Sequence, residues 1–296
     1  AADLAPSARL ARAEGYAWKA AGDRRRAAQA FRTAIPLERQ HRPPDQPRIQ
    51  SLRREVRDAE RRLYAEAAAL WRAEPAADVT VTGPVLLRSQ ASTLLEAFFD
   101  RWLGVDLRAR GRLFWAFEDD RLAVDRNSAQ AAIGLRWRPF RRTNLVVGGE
   151  RLVAMGERAR NDWLLKADWS AGRGYERPPG QTRWLFWSAL AQMAVIDPGD
   201  PDWLGAVDLK LGLGASVTRA VSIRPVLAFS ALVQRGFGRP LSLYEAGPGL
   251  RLAFNAPGRR QRAGRLGFAV TLGWREKLAG QTANRSGLVL SLSAVY

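Results

Sequence analysis

The chain has 296 residues, 47% apolar, a formal charge of +18, no cysteine and a single histidine, His41. That length suits one large domain or two smaller ones. Lack of cysteine excludes disulfides, zinc–thiolate sites and cysteine nucleophiles, and one histidine in the turn "RQHRPPDQP" excludes a histidine triad or multi-histidine metal site.

Residues 1–62 read as a helical segment. "ARAEGYAWKAAGDRRRAAQAFRTAI" carries apolar residues at helical spacing, and Gly22-Asp23 divides it into two helices. "RPPDQP" (42–47) forces a turn, and "RIQSLRREVRDAERRL" restores a charged helix. The pattern Gly15, Trp18, Gly22, Ala27, Phe31, Ala34 resembles a tetratricopeptide repeat, in which small residues let two helices approach and aromatics fill the gap. An ordinary helical hairpin is the alternative. A single repeat cannot bury its own face, and residue 1 is not Met, so further repeats are expected before it.

From residue 63 to 296 the period changes from 3.6 to 2. "WLGAVDLKLGLGASV" puts Leu204, Leu209, Leu211 and Leu213 against Asp208, Lys210, Gly212 and Gly214, with one break of parity at Leu204. Twelve strands are predicted: 63–73, 90–100, 110–118, 128–138, 144–154, 162–172, 183–196, 203–217, 221–234, 242–254, 265–276 and 286–296. No run of eighteen apolar residues exists, so no membrane-spanning helix is expected. The strands are long enough to cross a bilayer at a tilt, and Trp71, Trp137, Trp163, Trp169, Trp184, Trp203 and Trp274 lie toward strand ends, where interfacial girdles form. The expected fold is therefore mainly β: a transmembrane antiparallel up-and-down barrel of about twelve strands after a short α-helical segment. A basic soluble β-sandwich that binds a partner is the alternative.

A barrel of this size leaves a narrow polar lumen. Arg112, Glu118, Arg136, Arg138, Glu150, Lys166, Asp168, Asp208, Lys210, Arg224, Arg251 and Arg275 are expected to line it. They would guide a hydrated solute, or merely pair with one another in a non-conducting structural barrel. An even strand count puts both chain ends on one side. The connections 74–89, 119–127, 155–161, 235–241 and 278–285 then share the other side as candidate outward contacts. The 173–182 connection is long for a turn on the helix side, which puts the pairing of its flanking strands in question.

The ending "RSGLVLSLSAVY" resembles the closing strand of bacterial outer-membrane barrels, which the insertion machinery recognises. Gly287, Leu288, Leu290, Leu292 and Tyr296 carry that likeness. The stretch 134–176 resembles the C-terminal domain of phage adsorption protein A, the NfrA family. The pieces are Gly134-Leu135-Arg136, Arg138-Pro139-Phe140, Asn144-Leu145-Val146, Glu150-Arg151-Leu152 and Asn161-Asp162-Trp163-Leu164-Leu165. The resemblance covers most of 90–296. It implies a Gram-negative outer-membrane protein with its helices in the periplasm, surrounded by outer-membrane lipid. It also implies a surface receptor for a phage tail protein, and exopolysaccharide export with an inner-membrane glycosyltransferase partner. The helical region is short for a full repeat array, so the likeness is to the C-terminal part of that family.

No enzymatic site and no cofactor is expected. Arg is spread through the chain rather than gathered with stacking aromatics, so nucleic acid is not an expected partner.

Overall fold

A computed structural model describes the chain except residues 1–6, 21–22, 42, 74–88, 100–105, 119–122, 141–142, 176–180, 219, 236–239, 256–265 and 282–285. Gly22 and most of the predicted connections 74–89, 119–127, 235–241 and 278–285 lie wholly or partly outside the described residues.

Three helices come first: α1 (Ala8–Ala20), α2 (Arg24–Gln40) and α3 (Gln46–Glu60). Asp23 caps α2 by accepting from the Arg26 N–H at 2.9 Å, and Asp45 caps α3 by accepting from the Arg48 N–H at 3.0 Å. Ala11, Ala27, Phe31, Ala34, Leu52 and Val56 form their shared core, with Trp18 packed against it. Phe31 sits over Gly15, where an added Cβ would run into the ring. Gly15→Val is accordingly expected to unpack α1 from α2. Loss of helical circular dichroism with unchanged barrel unfolding would verify it; unchanged helical signal would refute it.

Twelve strands follow: β1 (Leu63–Arg72), β2 (Gln90–Phe98), β3 (Asp106–Ala116), β4 (Gln130–Arg138), β5 (Leu145–Ala154), β6 (Trp163–Arg173), β7 (Arg183–Ile196), β8 (Asp202–Ser216), β9 (Val221–Arg235), β10 (Leu241–Asn255), β11 (Gly267–Ala279) and β12 (Gly287–Val295). Each pairs antiparallel with its chain neighbours, and β1 pairs with β12 from Glu66↔Val295 to Arg72↔Val289. The sheet is therefore one closed cylinder, which excludes the two-sheet sandwich. Closure pairs the last row of backbone N–H and C=O groups, leaving no sheet edge. α3 leads directly into β1, so the helices and the C-terminus share one end of the cylinder.

Two strands run three or more residues past a predicted bound. β3 starts at Asp106, because Asp106, Arg108 and Arg110 occupy inward positions that carry no hydrophobic signal. β11 continues to Ala279 for the same reason at Arg275 and Lys277. The doubt over 173–182 is resolved: β6 pairs directly with β7, from Leu164↔Ile196 to Arg173↔Trp187. Gly174 takes φ 71°, a left-handed conformation suited to glycine, and its carbonyl accepts from Trp184 Nε1 at 2.8 Å.

Candidate functional site

The register sorts the side chains into two faces. Outward stand residues such as Ile133, Leu135, Leu165, Leu185, Leu209, Leu211, Leu227 and Leu272, all exposed. Among the described strand residues, the outward charges are Arg151, Arg173, Arg183, Arg235 and Glu276. All five lie in the first or last four residues of their strands. Trp71, Trp163, Trp203 and Trp274 stand outward toward the end away from the helices, and Trp137, Trp169, Trp187 and Tyr296 toward the helix end. Trp184 does not belong with them. It turns inward and packs with Phe186, Val226 and Tyr175.

Within the closing strand, Leu288, Leu290, Leu292 and Tyr296 stand outward, while Gly287 takes the inward parity opposite Arg275. Gly15, Ala27, Phe31 and Ala34 are buried between the helices.

The interior is ionic along one wall. Arg136 on β4 donates to Glu96 Oε1 at 2.6 Å and to Asp168 Oδ2 at 2.7 Å, bridging β2 to β6. Lys166 Nζ lies 3.1 Å from Asp168, and Gln192 Nε2 donates to Asp168 Oδ1 at 3.0 Å. Arg112 Nη2 lies 2.5 Å from Glu150, and Arg110 Nη1 donates to the same carboxylate at 3.4 Å. On the opposite wall Lys210 lies 2.7 Å from Asp208, and Arg72 pairs with Glu245 across the width of two intervening strands.

Of the predicted lining residues, Arg112, Arg136, Arg138, Glu150, Lys166, Asp168, Asp208, Lys210, Arg224, Arg251 and Arg275 share the inward parity. They do not form one site. Arg138 sits at the helix-end rim, donating to Thr143 O and Asn144 Oδ1. Arg224 and Arg251 flank Tyr175, whose ring lies 5.3 Å from the Arg251 guanidinium. Glu118 is not on the wall at all: it lies beyond β3, exposed, with its N–H donating to Ala123 O. Glu96, Arg108, Arg110, Arg72 and Glu245 were missed by the sequence reading. Their alternation with Leu95, Leu107 and Ala109 outward was the available signal.

A cavity of about 680 Å³ opens at the helix end. Its lining includes Tyr64, Glu66, Glu96, Phe98, Arg108, Arg110, Arg136, Lys166, Asp168, Gln192, Asp208 and Lys210 from the barrel, with Arg24, Asp58 and Arg61 from the helical end. The Phe98 ring is held between two guanidiniums, Arg24 at 5.0 Å and Arg108 at 4.6 Å.

Toward the far end the interior is apolar instead. Phe114, Leu152, Leu164 and Ile196 pack inward with Ala116, Ala132 and Ala194. Leu204 touches this group and also the Leu232–Leu243 pair, so the layer runs from β3 to β10. The β3–β4 and β5–β6 connections clasp each other at this rim. Met155 and Gly156 N–H groups donate to Ala129 O, and Arg158 donates to Asp125 at 3.0 Å. Arg160 Nη1 lies 2.6 Å from Asp202 and its Nε 2.6 Å from Asp162. Burial lowers the Arg160 pKa, but these carboxylates outweigh it and hold the guanidinium above its ordinary value.

A family described as "Bacteriophage N adsorption protein A C-term" matches residues 120–292. No curated protein matches the chain. Similar solved structures include an outer membrane channel from Pseudomonas putida F1, 10% identical, covering 79% of this chain and 94% of that one at a TM-score of 0.38. The beta domain of the Bordetella autotransporter BrkA is 13% identical, covering 79% and 98%, at 0.39. A bacterial polysaccharide outer membrane secretin is 8% identical, covering 79% and 97%, at 0.37.

Proposed function

The chain belongs to the NfrA C-terminal family, that of bacteriophage N adsorption protein A. From that premise we propose an outer-membrane barrel that serves as a surface receptor for phage adsorption and as an exopolysaccharide export channel. The observation that carries the membrane reading is the outward face. It is apolar between two tryptophan-bearing rims, with charge only near strand ends. Strands of nine to fifteen residues, at about 3.3 Å per residue and a tilt of about 40°, span about 23–38 Å.

In this reading the helix end faces the periplasm, where α1–α3 form the end of a tetratricopeptide array that would meet a glycosyltransferase of the inner membrane. Outer-membrane lipid surrounds the belt, and the insertion machinery reads β12. The clasped connections 125–129 and 155–160 then face outward and offer a preformed surface to a phage tail protein. The β7–β8 turn at 197–201 joins them, a connection absent from the predicted set. The apolar layer from Phe114 to Leu243 favours a barrel closed to passage at rest. Export would therefore need that layer to part.

Exchanging 125–129 and 155–160 for Gly-Ser sequences of equal length should abolish phage adsorption while antibody labelling still finds the protein on intact cells. Full adsorption after exchange of every connection at this end would overturn the receptor reading.

A further inference from the structure

The cavity at the helix end has a charge pattern that its pairing alone does not reveal. Two of its carboxylates, Glu96 and Asp208, are set deeper than the cations they face, whereas Asp58 at the mouth is exposed. The Glu96 side chain is 4% exposed, against 21% for Arg108 and 14% for Arg136. Asp208 is 15% exposed, against 34% for Lys210. Glu96 and Asp208 therefore lie back in the wall, and seven cations stand against five carboxylates in the lining. Donors also remain unused. Arg136 Nε is buried and makes no hydrogen bond, and Lys210 has three N–H bonds for its one carboxylate partner. At the mouth, Arg24 of α2 reaches the Phe98 ring, so the helical segment contributes to the same lining.

We propose that this basin binds a short stretch of acidic oligosaccharide, with sugar carboxylates facing Lys210 and Arg24 and a ring near Phe98, whose Arg108 neighbour is held by Asp106. The proposal deepens the export reading and rests on it. A volume of about 680 Å³ lies within the range of about 300–1,000 Å³ for sites that bury small ligands. A lining with more cations than carboxylates selects for charge and leaves sugar identity loosely specified. That suits a polymer that must move on after binding. The helical segment, by supplying Arg24, makes the site incomplete in the barrel alone.

The test titrates the full chain in detergent micelles with hexagalacturonate and, separately, with maltohexaose, by calorimetry. Hexagalacturonate should bind, weakening as salt is raised, and maltohexaose should bind at least about tenfold less tightly. Lys210→Gln should weaken hexagalacturonate binding several-fold, and Arg24→Gln likewise, while Arg158→Gln at the far rim should leave it unchanged. Lys210 lies on the wall rather than in the helical contact, so its variant remains informative if Arg24→Gln disturbs the helices. Equal binding of the two sugars, no binding of hexagalacturonate, or unaltered binding by Lys210→Gln would overturn the proposal. Phage adsorption by connection-exchanged cells is scored independently, so failure here is separable from failure of the outer-membrane receptor reading.

Discussion

Replacing Arg136 with Met should destabilise the folded barrel by about 3 kcal/mol, the scale for removing one partner of a buried ion pair. Arg136 is the junction of the ionic wall, at 2.6 Å from Glu96 and 2.7 Å from Asp168. Asp168 keeps Lys166 and Gln192, and Glu96 keeps Arg108 at 3.6 Å and Arg110 at 3.7 Å. Those remaining contacts hold the loss toward the lower end of the expected range. Urea unfolding in detergent micelles, followed by the gel mobility of unheated samples, measures it. A loss well under about 1 kcal/mol would mean that the pair is screened as at a water-exposed surface. The wall would then be hydrated from the cavity that opens at the helix end.

The cylinder was legible in the sequence because outward-facing and interior-facing residues alternate without exception over long stretches. "DLKLGLG" shows both faces within seven residues. What was not legible is the use made of the inward face. Phe114, Leu152, Leu164 and Ile196 share the inward parity with Arg112, Glu150, Lys166 and Ala194. Only the stagger of neighbouring strands brings four apolar residues, from Phe114 to Ile196, to one level. The same stagger decides that Arg136 meets Glu96 and Asp168 rather than Glu150. Periodicity assigns a residue to a face, and register assigns its height. Trp184 illustrates the difference: near a strand end it reads as a girdle residue, yet its parity turns it inward beneath Tyr175.

The closing strand has the same dependence on register. Leu288, Leu290 and Leu292 are outward only because β12 meets β1 at Glu66↔Val295 and β11 at Gly267↔Val295, so both neighbours impose the same parity. A slip of one residue would put three leucines inside and Ser291 and Ser293 outside. The strand therefore seals the cylinder and completes its apolar belt in one step.

Leu209→Arg should cost about 2–4 kcal/mol of barrel stability, the penalty for a cation at the bilayer midplane. Leu209 stands near the middle of β8, outward between Phe229 of β9 and Ala189 of β7, and it is exposed. The side chain makes the variant decisive, because an exposed leucine meets either water or lipid. In water the change would be nearly neutral, within about 0.5 kcal/mol. In hydrocarbon the guanidinium loses its hydration, with no carboxylate on the outward face at that depth to receive it. Val217→Arg, just past the end of β8, supplies the depth control. There the arginine reaches the interface, and a cost of about 0–1 kcal/mol is expected. Guanidinium unfolding from phospholipid vesicles, monitored by tryptophan fluorescence, measures both. A large loss at 209 beside a small one at 217 is the signature of a bilayer around the belt. Two small and equal losses would mean that the apolar face is covered by something other than lipid, and the outer-membrane reading would fall with it.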